Sequence, residues 1–242
     1  TTLSAYTFNG SSYVLKGSIA TLASIKSVWG DGTYIYIGQG ASLDAYTFNG
    51  TTFTKVGTIA LPNGMDQVTG DGTYIYVALS ISGLYAYDFN GSTFTLKGSV
   101  ILASKPVFGV STDGTYIYAA LHASGIEAYT FNGSTFSLVG SVVNAASRVF
   151  ATPTHVFSTT VSPIAGNPDV WAYTFDGVDF TTVGVANSPI HSTDSWANST
   201  YLYVADGSNL YTRQICVYLI PGATPTTTTT TPSAAKCAAL IY

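Results

Sequence analysis

Side chains that could do chemistry are few here, and most admit a plain reading. Asp66, Asp194 and Glu127 fall on stretches that read as strands, and two carboxylates at a fixed separation are what glycoside hydrolysis needs. Solvation, or pairing with Lys26 or Arg148, accounts for them equally well. His122, His155 and His191 lack metal-ligand spacing, and no nucleophile elbow, phosphate loop or Cys–His pattern occurs. The recurring Asp-Gly-Thr turns place one carboxylate each, whereas calcium takes about six to eight oxygens. The sequence therefore predicts no enzyme, no cofactor and no metal.

The element that positions these residues is a repeat. AYTFNG begins at Ala5, Ala45, Ala86 (as AYDFNG), Ala128 and Ala172 (as AYTFDG). It runs in step with DGTYIY, which begins at Asp31, Asp71 and Asp113 and degenerates to TPTHVF at Thr152 and NSTYLY at Asn198. The first motif steps by 40, 41, 42 and 44 residues. Within one unit, Tyr74-Ile75-Tyr76-Val77 is a β-branched and aromatic run, and Asn90-Gly91 is a type I′ hairpin signal because both residues tolerate positive φ. A run such as Tyr34-Ile35-Tyr36-Ile37 is apolar on both faces, as in a sheet sandwiched between neighbours. No segment carries an apolar period of 3.6.

Short strands repeated at this period predict an all-β, five-bladed β-propeller of four-stranded antiparallel blades over residues 1–206. The last blade is expected to be closed by the N-terminal strands Leu3–Phe8 and Ser12–Ala20, since the chain opens on the third strand of a unit. Opening there without Met, it reads as a processed or trimmed mature form. Ser208–Ile215 also resembles a third strand, which predicts either an extra strand or an exchange of ends between subunits. Residues 207–242 add a Thr/Pro-rich tail, with the run Thr226–Thr231 as an extended linker and an apolar end at Ala234–Tyr242.

The core Tyr76-Val77-Ala78 through Gly83-Leu84 to Tyr87-Asp88 resembles LVIVD-type and YVTN-type propeller repeats. Such repeats occur in secreted and surface proteins of varied role, so the resemblance implies architecture and leaves activity open.

Turns Asp-Gly-Thr and Asn-Gly-Ser/Thr share one rim and barely change between units, while the loops of the opposite rim differ in every one. A binding site is therefore expected on the divergent rim, around Lys26, Asp66, Phe108, His122, Arg148, His191 and Asp194. Trp29 and Trp196 share a slot with Phe150 and read as blade core; His155 holds the slot of Tyr34, Tyr74 and Tyr116 and reads as blade packing. Asn9, Asn49, Asn90, Asn132 and Asn198 begin N-x-S/T triplets. These are glycosylation acceptors, or simply hairpin turns, since Asp176-Gly177-Val178 keeps the turn without the triplet. Cys216 and Cys237 are the two cysteines, and a disulfide between them is predicted within one chain, an intermolecular bridge being the competing geometry.

Only 8% of the 242 residues are charged and the net charge is −4, which argues against nucleic acid or an anionic membrane as partner. Thr, Ser, Asn and Gly do the solvating, a pattern of extracellular, cell-surface or virion proteins, and no apolar run approaches the length of a membrane-spanning helix. The predicted function is a non-enzymatic structural or assembly protein, such as a filament, surface-layer or virion-appendage subunit. It would partner with itself or with other structural subunits. The alternative is a carbohydrate-binding propeller with glycans as partners.

Overall fold

The computed structural model describes residues 1–102, 104–160, 168–186, 192–209, 212–223 and 236–240. His191, most of the loop 160–169 and the threonine run lie outside them. The first two strands, β1 (Thr2–Phe8) and β2 (Tyr13–Ala20), pair as a two-stranded sheet. Four-stranded antiparallel sheets follow in chain order. The first holds β3 (Ile25–Gly30), β4 (Ile35–Gln39), β5 (Ser42–Phe48) and β6 (Phe53–Ala60), and the second β7 (Gln67–Gly70), β8 (Ile75–Ala78), β9 (Leu84–Phe89) and β10 (Phe94–Val100). The third holds β11 (Gly109–Thr112), β12 (Ile117–Ala120), β13 (Ile126–Phe131) and β14 (Phe136–Val142). The fourth holds β15 (Arg148–Ala151), β16 (Val156–Thr159), β17 (Val170–Phe175) and β18 (Phe180–Ala186). The fifth holds β19 (Ser192–Ala197), β20 (Tyr201–Asn209), β21 (Thr212–Leu219) and β22 (Lys236–Leu240). No helix occurs among the described residues. The fold is an all-β five-bladed β-propeller of four-stranded antiparallel blades.

One expectation is corrected. The fifth blade takes its outer strands from β21 and β22, while β1 and β2 form a sheet of their own. The reason is register: β21 and β22 pair through Cys216 opposite Cys237, and Cys216 is buried and disulfide-bonded. Places three and four are thus filled by the chain that follows. The segment Ser208–Ile215 spans the end of β20 and the start of β21.

Contacts divide the chain into two compact units, Thr1–Val110 with Phe131–Phe136, and Ser111–Thr130 with Ser137–Tyr242. In the first, Tyr36 of β4 meets Phe89 and Phe94 edge-on at 5.9 and 6.1 Å, and Tyr76 of β8 meets Phe131 and Phe136 at 6.1 and 6.2 Å. In the second, Tyr118 of β12 meets Phe175 and Phe180 at 5.9 and 6.1 Å. Each such clasp joins one blade to the next, and the central tyrosines are at most 2% exposed. Edge-to-face rings contribute about 0.5–1.5 kcal/mol beyond the area they bury.

The turn carboxylates explain themselves here. Asp71 Oδ1 accepts the N–H groups of Thr73 and Tyr74, both at 2.8 Å, and Oδ2 accepts the Tyr76 hydroxyl at 2.7 Å. Asp31 and Asp113 repeat the pattern. Burial first, then the hydrogen bond to Asp71, drives the Tyr76 pKa above its ordinary value, so it remains a donor. Asp in this turn is therefore a clamp that ties the turn to the buried tyrosine.

His155 stacks on Phe157 at 5.8 Å, and burial holds its imidazole below the usual value near 6.5. The folded state then binds fewer protons than the unfolded state, so this contribution is full above about pH 6.5 and is lost as pH falls toward the lowered folded value. His155→Tyr, which restores the residue of the other blades, should flatten the fall in melting temperature between pH 7.5 and pH 5. An unchanged acid slope would assign that sensitivity to other groups.

Candidate functional site

Register sorts the expected rim residues into two slots. Gln67 opposes Ala78, Arg148 opposes Thr159 and Asp194 opposes Ala205, so these share one slot with Ser27, which opposes Gly38. Lys26, Asp66 and Phe108 stand one residue earlier. Lys26 falls in the register shift between Ile25 and Ser27, and Asp66 and Phe108 precede β7 and β11, so the set read from the sequence as one group does not occupy one slot.

The slot of Ser27 and Gln67 has a structural task. Ser27 Oγ accepts the Val68 N–H at 3.2 Å, and Gln67 Oε1 accepts the Val110 N–H at 3.1 Å, tying each inner strand to the next. A guanidinium has only donors and cannot repeat this at Arg148. The corresponding N–H, of Ser195, goes instead to Asp194 Oδ1 at 2.9 Å. Arg148 is half-buried and donates to the Ser147 carbonyl at 3.0 Å. The fourth inner strand thus carries a cation where the first two carry a tether and the third carries Gly109.

Beside it lies His122. A two-way backbone bridge joins His122 and Ala146, at 2.8 and 2.9 Å, and His122 sits at φ 53. Left-handed backbone at a non-glycine residue costs on the order of 1–3 kcal/mol. Ser80 makes the same bridge to Val107 at φ 47, so the bend belongs to the repeat. What changes is its cargo: Ser80 precedes a chain in which glycine, Gly109, fills the inner-strand slot, whereas the His122 bridge stops two residues short of Arg148.

The other carboxylates are held as parts of the frame. Asp44, which the sequence reading passed over, is 1% exposed and accepts Lys55 Nζ at 2.9 Å, together with Thr58 Oγ1 and Gln39 Nε2. Glu127 is buried and accepts the Tyr129 hydroxyl. Asp66 is half-buried at the start of the second blade, and Phe108 is half-buried before β11. Lys26 and Asp194 are exposed. Among the described residues no cluster of three His, Cys, Asp or Glu side chains is placed to hold a metal.

Each triplet asparagine is exposed and clamps its own turn. Asn90 Oδ1 accepts the N–H groups of Ser92 and Thr93 at 3.0 and 2.9 Å, with the same pattern at Asn9, Asn49, Asn132 and Asn198. Asp176 does this as a carboxylate, and the N–H groups of Asp179 and Val178 hold its pKa below the usual range.

Trp29 packs against the core of the first two blades, as expected, whereas Trp196 does not. Trp196 is 56% exposed and lies tilted against Tyr203 at 5.5 Å, and Trp29, half-buried, stacks on Tyr36 at 5.5 Å in the wall of a cavity. Thr69 and Ser111 hold the same slot in the next two blades, so the space that Trp29 fills is particular to the first. A second, apolar cavity of about 200 Å³ lies where Gly184 faces Pro221 instead of a phenylalanine ring. Its lining, including Phe157, Ala172, Leu202 and Ile220, is apolar apart from the hydroxyl of Tyr218.

No protein-family model matches the chain, and no curated protein matches it. Solved structures do. A protein provisionally assigned as a 6-phosphogluconolactonase, from Bacteroides fragilis, is 14% identical with a TM-score of 0.72, over 90% of this chain and 76% of that one. A functionally unknown protein from Desulfotomaculum acetoxidans is also 14% identical with a TM-score of 0.72, over 92% and 77%. Likeness at this identity shows the propeller fold. It also corrects the expectations of a non-enzymatic structural or assembly subunit and of no enzyme, because a chain of this fold carries an enzymatic assignment.

Proposed function

We propose that the chain is a hydrolase of small cyclic esters, in the class of sugar-acid lactones, working from His122 and Arg148. The observation that carries this reading is the His122–Ala146 bridge, which brings an imidazole to the inner strand bearing Arg148. The shared fold with a protein provisionally assigned to lactone chemistry supports it. The imidazole takes a proton from water as the oxygen attacks the lactone carbonyl. The guanidinium stabilises the oxyanion of the tetrahedral intermediate. The ring C–O bond then breaks and the imidazolium returns its proton to the leaving alkoxide, giving the open hydroxy acid. Kinship with LVIVD-type and YVTN-type repeats belongs to the same proposal, resting on the Tyr-Val-Ala to Gly-Leu core. An extracellular setting is supported by the charge-poor, Thr- and Ser-rich composition.

The test is acid release measured by pH-stat on glucono-1,5-lactone and its 6-phosphate, with an acyclic nitrophenyl ester beside them. Opening of at least one lactone well above its spontaneous rate is expected. No acceleration on any of the three would overturn the reading.

A further inference from the structure

We propose that the cavity beside Trp29 is a binding site for a single neutral pyranose ring, separate from and independent of the hydrolytic reading. The cavity measures about 220 Å³, and its lining includes Trp29, Asp31, Tyr34, Tyr36, Tyr74 and Phe89. That is smaller than the roughly 300–1,000 Å³ of clefts for drug-sized ligands, so one ring fits rather than a chain of them.

The walls supply two kinds of contact. Trp29 and Tyr36 stack within 18° of parallel, and Tyr34 meets Phe89 edge-on at 5.1 Å. The negative face of an aromatic ring attracts the polarised C–H groups on one face of a sugar. At the mouth, Asp31 Oδ1 already accepts two N–H groups, of Thr33 and Tyr34, both at 2.7 Å. Oδ2 accepts the Tyr36 hydroxyl alone, at 2.9 Å. A carboxylate oxygen takes about two donors, so Oδ2 has room for one ligand hydroxyl. No cation lines the cavity and Asp31 is its one charged group, which disfavours phosphorylated or acidic sugars.

Space for the indole is built in. A Cβ at Gly70 would lie 2.4 Å from Trp29 Cη2 and 2.7 Å from the Tyr74 carbonyl oxygen. Glycine on the neighbouring inner strand thus admits the large ring that Thr69 and Ser111 replace in the next two blades.

Other blades indicate variants that keep the fold. Trp29→Thr copies the second blade. Asp31→Asn copies the fifth, where Asn198 Oδ1 accepts the N–H groups of Thr200 and Tyr201 at 2.8 Å. The experiment is saturation-transfer difference NMR, with titration, on the full chain using methyl α-glucopyranoside, methyl α-mannopyranoside, glucose 6-phosphate and phenol. At least one methyl glycoside should bind saturably in the millimolar range, lose its signal in Trp29→Thr and weaken roughly tenfold in Asp31→Asn, while glucose 6-phosphate binds more weakly. Three results would each overturn the proposal: neither glycoside binding, glycoside binding unchanged in Trp29→Thr, or phenol alone binding in a Trp29-dependent way. Lactone hydrolysis intact in Trp29→Thr separates the two sites, so either can fail alone.

Discussion

His122→Asn protein should open lactones roughly 10²–10⁴-fold more slowly than wild type, the range general base catalysis supplies. Asparagine is the right replacement because it tolerates left-handed backbone, so the bridge to Ala146 survives and the loss reports the imidazole. The melting temperature should stay within a few degrees. Arg148→Gln is the companion. Gln67 already occupies that slot in the second blade and accepts the next strand's amide, so the variant has a fold precedent. It should still cost about 10²–10³-fold in kcat, as loss of an oxyanion donor does. Full activity in His122→Asn would place the base elsewhere.

The second large effect is structural. Gly98→Val should lower the melting temperature by roughly 5–10 °C. A Cβ at Gly98 would sit 2.3 Å from the Ser134 carbonyl oxygen and 3.0 Å from the Phe131 ring edge. The same clash recurs at Gly140, against Val178 and Phe175. The register slips between Leu96 and Gly98, and this bulge lets the phenylalanine of the next blade seat against bare backbone. Overpacking costs about 1–3 kcal/mol and more against backbone, and about 1 kcal/mol moves a chain of this length by roughly 2–4 °C. Calorimetry decides; a melt within 2 °C of wild type would show that the blade gives way without cost.

The architecture was legible because AYTFNG and DGTYIY mark turns and clasps that recur with the same geometry. Those residues answer to local rules: Asx clamps, positive φ at glycine, apolar faces on both sides of β4 and β8. The close of the fifth blade was not legible, because β21 and β22 carry neither motif and pair through a register visible only in space. The site was half legible. His122 and Arg148 stood out as divergent, but the repeat does not reveal that Arg148 stands one position past Lys26 and Asp66. A one-residue slip reverses the face of every side chain. That Trp29 also borders a cavity was not legible, because the glycine that clears its place, Gly70, lies 41 residues along the chain.

The Tyr–Phe clasps carry a kinetic consequence. Three of them, centred on Tyr36, Tyr76 and Tyr118, share ring separations to within a few tenths of an ångström, so each phenylalanine pair could dock on a tyrosine other than its own. While the chain folds, such a wrong partner is held by about the same energy as the right one. Selection among them then falls to the tethers that differ between blades, Ser27 to Val68, Gln67 to Val110 and Ser111 to Ala151. A chain with uniform blades and uniform tethers would lack that proofreading and fall more often into misassembled traps. The divergence of the inner strands therefore also serves as an address system for its own blades.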